Sequence, residues 1–121
     1  MKIFAFILVL TFLSGCSVVM RANIKNSESS DIFVTREHSD NLAWHIQAGD
    51  QAEIFWNERC LNVIDNGVKM TFNPWPIPDN TVKSGVFEST INVLYKEQKM
   101  FFINLNGESI PLKKLTKCSN A

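Results

Sequence analysis

Two histidines, a set of turn serines and two pairs of acids are the residues of this chain whose types could do acid–base chemistry. His38 and His45 are its only histidines. A hydrolytic triad needs a serine, a histidine and an acid brought together in the fold. Ser27, Ser29, Ser30 and Ser39 cluster instead in turn-rich segments, where hydroxyls satisfy local backbone groups. No Gly-x-Ser-x-Gly elbow marks a nucleophile. Glu28 with Asp31, and Glu37 with Asp40, read as solvated turn charges. His45 alternates with apolar neighbours in a polar row, the ordinary place for a solvated imidazole. No His or Cys spacing resembles a zinc site. The reading is therefore a non-enzyme with no metal and no cofactor.

What must position these residues begins after an unusual opening, MKIFAFILVLTFLSGC. Lys2 supplies a basic start, Ile3 to Leu13 are almost unbroken apolar side chains, and small residues close the run. That order is an export signal rather than part of the fold. It falls short of the roughly 20 apolar residues a spanning helix needs. Leu13-Ser14-Gly15-Cys16 resembles the lipobox of bacterial lipoproteins, whose signal is cut just before the cysteine. The resemblance implies residues 1–15 as signal peptide, residues 16–121 as the mature chain, and Cys16 as the site of a thioether-linked diacylglycerol and an N-acyl chain. The family's sorting rule retains a lipoprotein in the inner membrane when aspartate follows the cysteine. Ser17 stands there, which implies the outer membrane of a Gram-negative host, with the domain facing the periplasm. With Cys16 so assigned, Cys60 and Cys118 remain as a pair in an oxidising compartment. A bridge between them would close a long loop, worth roughly 4 kcal/mol by chain entropy. The alternative is two separate buried thiols.

Composition bounds the partners. Twelve basic and twelve acidic residues balance, so no field steers the protein to nucleic acid or to a bare anionic bilayer. Membrane attachment must come through the acyl chains on Cys16, and two chains hold a protein stably. The residues after the signal suit one domain with a real but small core.

Within that domain the apolar spacing is period two. Met20, Ala22 and Ile24 alternate with polar residues, which predicts a strand over about Met20 to Lys25 and leaves a tether of a few residues. Ile32 to Arg36 is a second β-rich run. Leu42, Trp44, Ile46 and Ala48 form an inward row that Ala52, Ile54 and Trp56 resume after Gly49-Asp50, predicting a hairpin. Asn66-Gly67 and Asn106-Gly107 each sit between apolar runs, the strongest short hairpin signal. Val86 to Tyr95 and Met100 to Leu105 predict a further strand pair. No stretch after the signal keeps helical spacing. The fold class is all-β, a single antiparallel β-sandwich or small barrel of about 7–9 strands.

Phe72, Pro74, Trp75, Pro76, Ile77 and Pro78 make the candidate binding loop. Alternate prolines cannot donate to a ladder, so the segment is a loop or an edge. Trp75 and Ile77 either fold back to cap the sandwich, the favoured reading, or present Trp75 to a partner. Lys113, Lys114 and Lys117 read as a solvated edge. Together these features predict an outer-membrane-anchored lipoprotein with a non-catalytic periplasmic binding or assembly domain, its partner an envelope protein. The alternative is a small inhibitor of an envelope enzyme such as lysozyme. Thr81 to Phe87, before two strands and a terminal cysteine, resembles lysozyme-inhibitor lipoproteins, which carry a Ser-Gly-x-x-Tyr-like motif on a disulfide-stapled barrel. Here Phe87 stands one position before the family's tyrosine.

Overall fold

The computed structural model describes residues 19–36, 39–57 and 59–118. The signal segment, Cys16, Ser17 and His38 lie outside them. The described chain is a β-sandwich of two sheets without helix. One sheet carries β1 (Val19–Asn26), β4 (Gln51–Phe55), β7 (Lys83–Ser84), β8 (Glu88–Lys96), β9 (Lys99–Ile103) and β10 (Ser109–Pro111). Its order is β10-β9-β8-β1-β4, with β7 continuing the β9 side of β8. The other sheet carries β2 (Ile32–Arg36), β3 (Ser39–Ile46), β5 (Leu61–Asp65), β6 (Val68–Asn73) and β11 (Lys113–Leu115), in the order β11-β6-β5-β2-β3. Two features depart from the sequence expectation. The strands exceed the expected number because β7, β10 and β11 are two or three residues long, too short to leave a period. And β1 pairs parallel with β8 from Val19–Glu88 to Asn26–Tyr95, while every other pairing is antiparallel.

Alternation builds the core. Ala22 and Ile24 of β1, Ile32 and Val34 of β2, Leu61 and Val63 of β5, and Ile91, Val93 and Tyr95 of β8 point between the sheets, each almost wholly removed from water. Trp56 packs edge-on to Phe102, their ring centroids 6.0 Å apart. The buried end of this core is polar. Tyr95 Oη donates to Asp65 Oδ2 at 2.7 Å, and Ser30 Oγ to Asp65 Oδ1 at 2.8 Å. Burial, then the Asp65 hydrogen bond and charge, hold the Tyr95 phenol above its ordinary pKa.

The Asn66-Gly67 turn forms as expected. Both residues have positive φ, at 51° and 79°, and join β5 to β6 in register. Glu97 and Gln98 adopt the same left-handed pair, at 54° and 61°, between β8 and β9. The Asn106-Gly107 hairpin forms too, but through a wider loop. Asn104 Oδ1 accepts from the backbone N–H of Asn106 and Glu108, and Gly107 alone of the loop has positive φ.

The expected hairpin from Leu42–Ala48 to Ala52–Trp56 does not exist. β3 pairs with β2 in one sheet, and β4 with β1 in the other, so Gly49-Asp50 turns a corner between sheets. Asn26, at the end of β1 and fully buried, holds that corner. Its Nδ2 donates to the carbonyls of Ser30 and Ile46, at 2.8 and 3.1 Å. Its backbone N–H donates to Asp50 O, and its carbonyl accepts from Gly49 N–H.

Candidate functional site

The strand registers gather one end of the sandwich. Val19 opens β1 and pairs with Glu88, so the Gly85–Phe87 tip between β7 and β8 adjoins it. Trp56 N–H donates to Met20 O at 3.0 Å, which puts the end of β4 beside the start of β1. Trp56 Nε1–H donates to Pro74 O at 3.2 Å and so ties the proline loop to the same end. Between them lies an open groove of about 440 Å³ lined by Met20, Trp56, Asn57, Arg59 and Trp75.

Its walls are apolar and its rim polar. Asn57 Oδ1 accepts from Arg36 Nη1 at 2.6 Å and from the backbone N–H of Arg59 at 2.9 Å. Burial, and then the Arg59 charge, pull the Arg36 guanidinium down to about 10. Arg36 therefore stays charged at any physiological pH. Among the described residues, none that lines the groove is a carboxylate, a histidine or a hydroxyl nucleophile. The described lining can receive an apolar or amphipathic group.

The proline loop divides its work. Phe72 lies in β6 and is buried, Pro74 is buried, and Ile77 packs partly buried against the core. Pro78 is half-buried and Pro76 exposed. Trp75, joined to Pro76 by a cis bond, keeps 43% of its surface exposed. Capping thus falls to Pro74 and Ile77, and the favoured reading of Trp75 as a capping residue is corrected. Asn73 Oδ1 accepts the Trp75 backbone N–H at 3.1 Å, a local side-chain-to-backbone bond at the start of the loop. Trp75→Ala is accordingly expected to lower stability by well under the roughly 3–5 kcal/mol of an enclosed aromatic. A thermal melt beside wild type checks this.

The tip escaped the sequence reading, which carried the strand back to Val86. It begins at Glu88, and Val86 and Phe87 are 86% and 85% exposed. Gly85 N–H donates to Glu88 O at 2.8 Å. A Cβ on Gly85 would lie 2.4 Å from that oxygen, so only glycine closes the turn. The Ser84-Gly85 pair was the available signal, since Ser-Gly marks turns.

Cys60 and Cys118 form a disulfide. Cys60 is buried just before β5, and the bridge returns the chain after β11 to it. Lys113, Lys114 and Lys117 are exposed, the first two on the edge strand β11. His45 stacks on Phe33 on an outer face and lies 2.9 Å from Asp31 Oδ2. Among the described residues no three His, Cys, Asp or Glu side chains stand close enough to hold a metal ion.

No protein-family model matches the chain, and neither a curated protein nor a solved structure does.

Proposed function

We propose that this is a lipoprotein, anchored through acyl chains on Cys16 in the outer membrane, whose sandwich is a non-catalytic binding or assembly module in the periplasm. The observation that carries the reading is Leu13-Ser14-Gly15-Cys16 behind a short apolar run, three residues before the first strand. A bridged β-core, a neutral charge balance and an open groove walled by Met20, Trp56 and Trp75 support a binding role. The partner on this reading is an envelope protein. Cys16→Ser is expected to abolish incorporation of radiolabelled palmitate and to leave the unprocessed precursor. An exported wild-type protein that takes up no palmitate would defeat the reading.

A second reading follows from the tip. Ser84-Gly85-Val86-Phe87 projects as a narrow apolar hairpin turn, a shape that can plug an enzyme cleft. This supports an inhibitor of an envelope enzyme such as lysozyme. Unchanged lysozyme activity at micromolar protein removes it.

A further inference from the structure

We propose that the end of the sandwich carrying Trp75, Val86 and Phe87 lies on the bilayer, with these three side chains seated among the lipid headgroups. The inference rests on lipid attachment at Cys16 and adds an orientation and a second membrane contact to it.

The geometry begins with the tether. Cys16 precedes Val19 by three residues, and a chain reaches at most about 3.3–3.6 Å per residue. Val19 therefore stands within about 10 Å of an acylated Cys16, little more than the roughly 5–7 Å of headgroup on each side of the hydrocarbon. Whatever adjoins Val19 meets the surface, and Gly85–Phe87 adjoins it through the Val19–Glu88 pair. Trp75 reaches the same end through the Trp56 bonds to Met20 and Pro74.

Side-chain chemistry points the same way. Seven large hydrophobic side chains are exposed among the described residues: Phe33, Phe55, Val68, Trp75, Val86, Phe87 and Leu105. Five of them, Phe55, Trp75, Val86, Phe87 and Leu105, stand toward the Val19 end. Exposed apolar side chains gathered at one place mark an interaction site. Tryptophan in particular favours the membrane interface, where its ring is apolar and its N–H remains wet. The charges nearby are partly paired. Arg21 lies 3.0 Å from Glu88 and 3.8 Å from Glu53, and its guanidinium covers the Phe55 ring at 5.1 Å. A protein partner would have to compete for this end with a bilayer already held against it.

The test uses the processed, acylated protein in phosphatidylethanolamine–phosphatidylglycerol vesicles with brominated acyl chains, which quench tryptophan at short range. Trp44 and Trp56 pack in or against the core and supply the background. The expected result is quenching in wild type that is mostly lost in Trp75→Phe. It should also weaken in the double variant Val86→Ser/Phe87→Ser, whose positions bear little core packing. Equal quenching in wild type and Trp75→Phe would overturn the proposal. Intact mass separates the two readings. Acylated protein without quenching overturns the docking alone, whereas protein lacking acyl chains overturns the anchor on which it rests. In cells, p-benzoylphenylalanine at position 87 should crosslink to lipid. A single discrete protein adduct there would give this surface to a protein partner instead.

Discussion

Cys60→Ser is expected to lower the unfolding free energy by about 4 kcal/mol. The bridge spans 58 residues, and a loop that long removes much of the unfolded chain's freedom. A domain of this size has a net stability of only about 5–15 kcal/mol, so the loss is a large share of the whole. Cys118→Ser should cost nearly the same, because the entropic contribution belongs to the loop and not to either end. Any excess in Cys60→Ser would then report the packing of its buried sulfur, since Cys60 is 2% exposed. Urea titrations of both variants and of the double serine variant make the comparison. A loss below about 1 kcal/mol in all three would show that the tail is held by β11 pairing alone. Mass spectrometry of a non-reduced digest checks that wild type carries the bridge when it leaves the cell.

The second large effect is expected at Trp56. Trp56→Ala removes a buried ring that meets Phe102 edge-on and should cost about 3–5 kcal/mol. It also leaves the Pro74 carbonyl without its indole donor. Trp56→Phe separates the two contributions. It keeps an aromatic in the core and loses the hydrogen bond, for about 1 kcal/mol. If the bond to Pro74 positions the proline loop, Trp56→Phe should also broaden the emission of Trp75 while the melting temperature moves little. Identical loop behaviour in Trp56→Phe and wild type would assign that position to Pro74 and Ile77 packing.

Most strands were legible because each buries one face and so writes period two into its residues. Asn66-Gly67 was legible for a different reason, since both positions need positive φ and the pair supplies it cheaply. The corner at Gly49-Asp50 was not. Trp44 and Ile46 before it, and Ile54 and Trp56 after it, all face the core, whether the strands pair in one sheet or face each other across two. Alternation records which side is inward and not which strand is the neighbour. Asn26, far upstream, binds the corner through its amide and backbone, a contact that alternation does not record. The parallel partnership of β1 and β8 was hidden for the same reason.

The candidate site was legible in part. The proline pattern located the loop, but its seat against the sandwich depends on the Trp56 bond to Pro74, eighteen residues away in sequence. Val86 and Phe87 misled because β-branched and aromatic residues read as strand. Their exposure follows from the Gly85 turn, whose close approach to Glu88 ends the pairing before them.

The place of β1 has a mechanical consequence. It is an interior strand, gripped by β8 on one edge and β4 on the other, and its first residue is the one nearest Cys16. Ladder hydrogen bonds run across the strand direction. A tug delivered through Val19 therefore acts along β1 and loads the rungs on both sides together, in shear. The same tug on β11, an edge strand, could open its few rungs one at a time, like a zip. The chain thus offers its strongest grip at the end where a tether would pull.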